Sequence, residues 1–489
     1  MLRSIFNTVG LNSTFNGVGV LRTFVEELRG ALGASKVVVD PAIVSLYSRE
    51  PTGLSSEAMA VVFPENAGDV SRILSLAYKH GVPVYPQGST TDLSGGALPE
   101  GGVVVSFERM NRVLGVSILD STVDVEAGVR LGDLNIELSR YKYMFPVDPG
   151  SVSIATVGGA INAGAGGLRG AKYGTMRDWV LGLTMVIPDE RGSIVRVGCR
   201  TTKCRQGYDL VRLIVGSEGT LAIVTDATLK ITPLPEATVV SLAFFPTLEG
   251  FYEAYKVIKS SGVQPLMMEF MDSETVELAR QTVDVGFKAE GNMFLVAVDC
   301  NVEAVERIKG WLRKVMVESG ATSVYTAMSM EEAEEMKLIA LRRNLFAAQI
   351  AMTAKLYPGR SVVVHPEDIA VPPSKLLEAI RAIRSVSDEM GLKVSIGGHV
   401  GDGNIHPAVG YPLDDERARR KVYEWYREIA KIALKLGGTV SAEHGIGIIK
   451  KELLQMELEQ VGGVKALELM RSIKRIFDPK NILNPGKVV

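Results

Sequence analysis

The sequence predicts an α+β protein with at least two domains, and three observations carry the prediction. The chain has 489 residues, more than one hydrophobic core ordinarily serves. Its first half opens on a strand–helix–strand pattern and continues through three glycine-rich blocks. Its second half shows the order β-α-β-β-α-β, which closes as an antiparallel sheet with helices on one face.

Bulk composition narrows the function. Fifty-four Lys and Arg stand against 56 Asp and Glu, a net charge of -2, which gives no electrostatic case for nucleic acid. The three cysteines, Cys199, Cys204 and Cys300, form no C-x-x-C pair. That excludes an iron–sulfur cluster or a Cys-type zinc site within the chain and argues against a disulfide framework, so a reducing compartment is expected. No apolar run approaches the roughly 20 residues needed to span a bilayer. Residues 1–23 read as a leader with a weak presequence character, Arg-containing and free of acids. The expected location is the cytoplasm, including peripheral association with the inner face of the membrane, with the mitochondrion as the alternative.

Ordered structure is expected from Phe24, first as an amphipathic helix. Ala60 to Phe63 reads as a buried strand. Asn66 suits the cap of a helix whose Val70, Ile73, Leu74 and Ala77 share one face, and Gly81 suits its end. Val82 to Tyr85 is the next strand, delivering the chain to the first block, Pro86-Gln87-Gly88-Ser89-Thr90-Thr91-Asp92-Leu93-Ser94-Gly95-Gly96. Such a loop offers backbone amides and hydroxyls to a pyrophosphate, although glycine-rich loops are also ordinary turns. No G-x-G-x-x-G opens a helix and no Walker lysine follows.

The second block runs from Asp148-Pro149-Gly150-Ser151 through Thr156-Val157-Gly158-Gly159 and Asn162 to Gly166-Gly167 and Tyr173-Gly174. A hairpin follows, Val180 to Ile187 and Ser193 to Val197 around a turn at Asp189 to Gly192. The third block is Gly216-Ser217-Glu218-Gly219-Thr220, continuing to Val224. After Pro233-Leu234-Pro235 the composition shifts, placing a domain boundary. Strands at Val239–Phe245, Leu266–Met271, Met293–Asp299 and near Val324 alternate with helices at Leu248–Ser260 and Val302–Glu318, the ferredoxin-like order. The helix Ala418–Leu436 sets Val422, Trp425, Tyr426 and Ile429 on one side, as core. Three of five histidines fall in Gly397-Gly398-His399-Val400-Gly401-Asp402-Gly403-Asn404-Ile405-His406 and Ser441-Ala442-Glu443-His444-Gly445. The His-x6-His spacing matches no standard zinc template. On spacing alone these are either metal ligands or loop histidines bonded to backbone.

Three ordered motifs, P-x-G-x-x-T-x-L-S-G-G, ATVGG-x3-NA with YG-x3-D, and GSEGTLAIVT, resemble the flavoenzymes with a vanillyl-alcohol-oxidase-type (PCMH-type) FAD domain. The resemblance runs from about Ala60 to Lys487. It implies a two-subdomain FAD-binding domain at 24–235, a ferredoxin-like cap at 236–440 that carries the histidine loop, and a C-terminal segment at 441–489 returning to the FAD domain. It also implies that Gln87, Gly88, Ser89, Thr90, Thr91, Pro149, Gly150, Thr156, Val157 and Gly158 surround the diphosphate and flavin. Asn162, Gly166 and Tyr173 would lie along the flavin, with Glu218, Gly219, Val224 and Asn484 towards the other end. Relatives read R-G-G-G-T where this chain has Gln87 to Thr91. Those that attach FAD covalently carry His in place of Thr91, so FAD is expected to be noncovalent.

The similarity is closest to the branch that oxidises D-2-hydroxy acids. Its metal-binding members carry G-H-x-G-D-G-N-x-H and a later E-H. That match implies His399, His406 and Glu443 as ligands of one divalent ion, zinc or manganese. It implies His444 as the base that removes the hydroxyl proton while hydride passes to flavin N5, Arg342 as the clamp on the substrate carboxylate, and Asn404 in the loop or against substrate. Dicarboxylate-specific relatives read H-L-N after the second histidine. This chain reads His406-Pro407-Ala408, which favours a small acid, D-lactate before glycolate, over D-2-hydroxyglutarate. Electrons would leave to an external cytochrome, quinone or iron–sulfur protein, and the subunit is compatible with a homodimer. His365 and His80 are expected to be structural. Two other readings are a flavin-binding accessory subunit, which is truncated in the metal half, and the ether-lipid synthase of this fold, which lacks the metal segment.

Overall fold

The computed structural model describes residues 17–489, with side chains from residue 22. The expected leader up to residue 16 lies outside the described residues. Regular structure begins earlier than expected, with helix α1 at Gly17–Leu32.

Short runs of apolar, β-branched residues bounded by turns build the first sheet. Its strands are β1 (Val37–Val38), β2 (Ala60–Val62), β3 (Val84–Gln87) and β4 (Val103–Ser106), in the order β1-β2-β4-β3. β2 and β3 both run parallel to β4 and are buried on both faces, as a parallel sheet requires. Helix α2 (Ala67–His80) makes the crossover between β2 and β3. Asn66 Oδ1 accepts the Asp69 amide at 3.0 Å, and Gly81 ends the helix at φ +66°.

A second, antiparallel sheet contains β5 (Val113–Ser117), β6 (Thr122–Glu126), β7 (Val180–Val186), β8 (Ile194–Gly198) and β9 (Ile223–Lys230), ordered β5-β6-β9-β7-β8. The expected hairpin is β7–β8. The turn beyond β8 corrects the expectation for the cysteines. Cys199 and Cys204 form a disulfide, their Cα atoms 6.0 Å apart, leaving Cys300 free. A local chain reversal brings them together, which linear spacing does not disclose.

The second half is built on one sheet of eight strands. β10 (Ala237–Phe245), β11 (Met267–Met271), β12 (Asn292–Cys300) and β13 (Ser323–Ala327), with helices α3 (Leu248–Lys259) and α4 (Val305–Glu318), pair as β13-β10-β12-β11. That is the ferredoxin-like arrangement, with a 3-10 turn at Val302–Ala304 opening its second helix.

The sheet does not stop there, because the edge strand β11 carries unpaired amides and carbonyls that need partners. Helix α5 (Leu345–Leu356) leads to a second unit of β14 (Val362–Pro366), the short β15 (Ile369–Ala370), α6 (Leu376–Glu389), β16 (Val394–His399), β17 (Asn404–Pro412) and α7 (Glu416–Lys435). Its order, β14-β17-β16, repeats that of the first three strands of the first unit, and β16 pairs antiparallel with β11. One face packs a core with α3, α4, α6 and α7, including Phe251, Leu312, Ile380 and Trp425. The other face carries Leu242, Leu295 and Met271 and receives Tyr173 from the second glycine block. Among the described residues no helix is long and apolar enough to cross a membrane.

Candidate active site

Residues directly opposed in an antiparallel pair project to the same face. The register opposes Glu269 of β11 to His399 of β16, and Gly397 of β16 to His406 of β17. Glu269, His399 and His406 therefore share one face across three adjacent strands. The turn between the histidines requires Gly403, at φ +89°, where a β-carbon would stand 2.1 Å from the Val371 carbonyl oxygen. The segment after α7 brings Glu443 to the same place. Its Oε1 lies 3.3 Å from His399 Nε2 and 3.2 Å from His406 Nε2, and one donor atom from each residue falls within 4.8 Å of the others.

Each ring is fixed from behind. His399 Nδ1 donates to Glu269 at 2.8 Å, and the same fully buried carboxylate accepts Arg342 Nε at 2.8 Å. His406 Nδ1 donates to the Glu367 carbonyl at 3.3 Å. Both Nε2 atoms are thereby left aimed at Glu443.

Burial alone would depress His399, but Glu269 and Glu443 outweigh it and hold the imidazole up at about 10. Glu443 is the converse: burial raises it, and His399 and His406 pull it well below the carboxylate range.

A second cluster, Asp368, His406 and His444, also falls within ligand distance, but the carboxylate is already occupied. Asp368 Oδ2 accepts Ser441 Oγ and the amides of Ala442, Glu443 and His444 at 2.8–3.2 Å, and Oδ1 accepts Asn404 Nδ2 at 2.9 Å. With its lone pairs used this way, Asp368 anchors the 441–444 segment. Asn404 also donates to the Ile369 carbonyl, so it orients Asp368. The His444 ring stacks on His406, with centroids 5.0 Å apart and planes 13° from parallel. Burial pushes His444 below its ordinary value, against the opposing pull of Asp368.

The glycine blocks meet this cluster. A β-carbon on Gly166 would stand 2.9 Å from Glu443 Oε2, and one on Gly170 2.7 Å from Asp402 Oδ2. The first and second blocks touch where a β-carbon on Gly88 would stand 2.2 Å from Thr156 Oγ1. Among the described residues, no protein acceptor meets the amides of residues 89–93. Three buried oxygens in these blocks and the C-terminal segment, Gln87 Oε1, Ser217 Oγ and Asn484 Oδ1, also lack partners. Free amides, orphaned oxygens and a floor without side chains fit a flat ligand with a diphosphate.

The remaining expected cofactor residues divide by what their side chains do. Gln87 Nε2 donates inward to the carbonyls of Tyr47 and Ala97. Thr156 Oγ1 caps a short helix, and Ser89 Oγ donates to the Ile154 carbonyl. Val157 and Val224 are core side chains, so they offer only backbone. Asn162 ties the second block to the third by accepting the Gly219 amide, and Tyr173 Oη donates to Asp299. Asn484 Nδ2 donates to the carbonyls of Gly96 and Glu218. Thr90 takes a positive φ in the first block. Around Pro149 and Gly150 the chain packs so closely that a β-carbon on Gly167 would stand 2.2 Å from the Asp148 carbonyl oxygen.

Sequence reasoning missed Glu269 and Asp368. Glu269 lies inside the apolar strand Met267-Met268-Glu269-Phe270-Met271, and Asp368 follows Glu367 in the link just before the short strand Ile369–Ala370. Buried charges of that kind imply partners. His365 is structural, as expected: it is buried and donates to the Thr52 carbonyl at 2.8 Å. His80 packs at the end of α2 against Glu27.

A PCMH-like FAD-binding fold, roofed by an antiparallel cap bearing this cluster, defines an FAD-linked oxidoreductase. The family model described as FAD binding domain matches residues 58–198, and that described as FAD linked oxidases, C-terminal domain, matches residues 234–488. The chain belongs to this family of FAD-linked oxidases, in the group of D-lactate dehydrogenases and glycolate oxidase GlcD subunits. It is 37% identical over 440 residues to the D-lactate dehydrogenase of Archaeoglobus fulgidus, covering 89% of this chain and 92% of that one. It is 36% identical over 431 residues to glycolate oxidase subunit GlcD of Bacillus subtilis, covering 88% of each. Its fold is similar to that of substrate-bound p-cresol methylhydroxylase, with a TM-score of 0.78, 16% identity, and coverage of 96% of this chain and 97% of that one.

Proposed function

We propose that this protein oxidises a small D-2-hydroxy acid, D-lactate foremost, to the 2-oxo acid, with noncovalent FAD and one divalent ion, zinc or manganese. The observation that carries the reading is the convergence of two imidazole Nε2 atoms on Glu443 Oε1, with Glu443 Oε2 beside Gly166 of the second glycine block. When bound, FAD accepts hydride and the ion acidifies the substrate hydroxyl.

His399, His406 and Glu443 would hold the ion. Two imidazoles and a carboxylate suit zinc or manganese, and Glu269 and the Glu367 carbonyl fix the ring orientations this requires. His444 takes the hydroxyl proton. Burial keeps its imidazole neutral at physiological pH, the state a base needs, and general-base catalysis contributes about 10²–10⁴-fold. Arg342 commits Nε to Glu269, leaving its two terminal nitrogens to pair with the substrate carboxylate. Asn404 acts through Asp368.

A small substrate is favoured because Ala408 follows His406 on the same face of β17, offering no amide to a second carboxylate. The face beyond His406 is also closed: a β-carbon on Gly397, its partner in the sheet, would stand 3.1 Å from Leu345 Cδ2. With three cysteines, two of them disulfide-bonded, the electrons pass to an external cytochrome, quinone or iron–sulfur protein. Glycolate is the second substrate, favoured by the 36% identity to a glycolate oxidase subunit.

Anaerobic mixing with D-lactate tests the proposal. Flavin absorbance near about 450 nm is expected to bleach with D-lactate, more slowly with glycolate and not with L-lactate. Failure of all three to bleach a metal-loaded flavoprotein would end this reading.

A further inference from the structure

The His444 segment is held at both ends by carboxylates, one from each half of the molecule. Asp368, from the cap, gathers the amides of Ala442, Glu443 and His444. Glu218, from the third glycine block, gathers two more beyond Gly445: the Ile446 amide donates to Oε1 at 2.6 Å and the Gly447 amide to Oε2 at 2.7 Å. We infer that Glu218 is a positioning residue for the reaction, a strut that sets Glu443 and His444 against the FAD domain, and not a cofactor contact through its side chain.

Three further observations support this. Each carboxylate oxygen of Glu218 accepts an amide of the 446–447 turn, so the side chain is aimed at that turn. The backbone is bent to deliver it: Glu218 sits at φ +52°, a conformation strained for a residue with a β-carbon, and Asn162 and Asn484 clamp its amide and carbonyl sides. The receiving turn is shaped to match. Gly445, at φ +85°, would place a β-carbon 2.8 Å from Glu218 Oε1, and Gly447 one 2.1 Å from the Ser94 carbonyl oxygen. The Ile448 and Ile449 amides then close onto that same Ser94 carbonyl, so residues 445–449 are stapled to the first and third blocks together.

The inference rests on the proposed function, because it assigns Glu218 to the segment bearing the base. The test uses the full chain loaded with FAD and zinc, comparing Glu218→Ala and Glu218→Gln with wild type. Three quantities are read: FAD affinity, the rate of zinc release to a chromogenic chelator, and the anaerobic rate of flavin bleaching by saturating D-lactate. Loss of the two amide hydrogen bonds predicts slower bleaching by about 10-fold or more in Glu218→Ala, with KM for D-lactate little changed. Zinc release should quicken by a similar factor while FAD affinity stays within about 3-fold. Glu218→Gln, which keeps one acceptor oxygen, should fall between. Gly445→Ala, crowding the same contact from the other side, should give the Glu218→Ala pattern and serves if that variant does not fold. Weakened FAD binding with unchanged bleaching at saturating FAD would overturn the inference and return Glu218 to the cofactor. No change in any quantity would overturn it as well. If wild type does not bleach with any 2-hydroxy acid, the proposed function falls alone, since zinc release and FAD affinity still decide the strut.

Discussion

Replacing Glu269 by Gln is the sharpest perturbation of the cluster, because one carboxylate serves two donors. In the native protein it accepts His399 Nδ1 at 2.8 Å and Arg342 Nε at 2.8 Å, and it has no solvent exposure. Glutamine is nearly isosteric but has one acceptor oxygen and an NH2. With its oxygen at the Oε2 position the amide meets both donors but sets its NH2 2.8 Å from His399 Nδ1; turned over, it sets NH2 against both; either way the negative charge is gone. A hydrogen bond to a charged group contributes about 1.5–3 kcal/mol, and setting an NH2 against a donor adds to the loss. Through the ligand His399 that converts to a zinc affinity lower by about 10–100-fold, the range typical for residues that orient a metal-ligating histidine. Through Arg342 the KM for the hydroxy acid should rise. FAD affinity should not move, because Glu269 lies on the cap strand β11 and touches neither the first nor the third glycine block. Competition against a chelator of known zinc affinity measures the first effect, and flavin absorbance confirms the last. A folded Glu269→Gln protein that binds zinc within about 2-fold of wild type would refute the reasoning.

The other predictions address the anchor, the ion and pH. Asp368→Asn removes the charge on which four donors converge. Bleaching by D-lactate should slow by about 100-fold with FAD still bound, as stopped-flow absorbance would show. Chelation should abolish D-lactate oxidation and added zinc or manganese should restore it in a dye-coupled assay; full turnover by metal-stripped protein would remove the ion from the mechanism. His365 governs acid stability, because burial, outweighing its bond to Thr52, lowers it from 6.5 to about 4. A base with a depressed folded value contributes no destabilisation above the unfolded 6.5, and stability falls as pH drops from there towards 4. At pH 4.5 the cost is about 2.5 kcal/mol. His365→Gln keeps a donor for Thr52 and should lose about that much less between pH 7 and 4.5 in urea titrations.

What the sequence disclosed follows the range of the forces involved. Local signals were legible: Asn66 and Gly81 bounded α2, the apolar runs of β2, β10 and β12 marked strands, and the β-α-β-β-α-β order gave the sheet order of the cap. His399, His406 and Glu443 could be named as candidate ligands through the resemblance, because the G-H-x-G-D-G-N-x-H and E-H motifs survive in linear form. The continuation of the sheet from β11 to β16 could not, since residues 269 and 399 become neighbours only when an edge strand finds a partner 130 positions away. The same holds for Glu269 and Asp368. A carboxylate in or beside an apolar strand advertises that it must be satisfied, but the identity of its partner is a property of the tertiary fold. The disulfide between Cys199 and Cys204 likewise depends on a turn that spacing does not encode.

The reaction site is therefore a seam, and the chain's last fifty residues are what close it. Having delivered Glu443 and His444, the backbone staples to Ser94, and Lys450 Nζ reaches back to the carbonyls of Asp368 and Val440 at 2.7 Å. Near the terminus the Val84 amide donates to the Ile482 carbonyl and the Asn484 amide to the Val84 carbonyl, so the C-terminal segment lengthens the first sheet by one bridge beside β3. Asn484 then joins Gly96 to Glu218. Each of these bonds connects the C-terminal segment to the first sheet, to a glycine block or to the cap. A fragment ending before Ser441 would keep both histidines, Glu269 and most of the glycine floor, yet lack the third proposed ligand, the proposed base and the turn that Glu218 receives. It should bind FAD better than it binds zinc, and catalyse nothing.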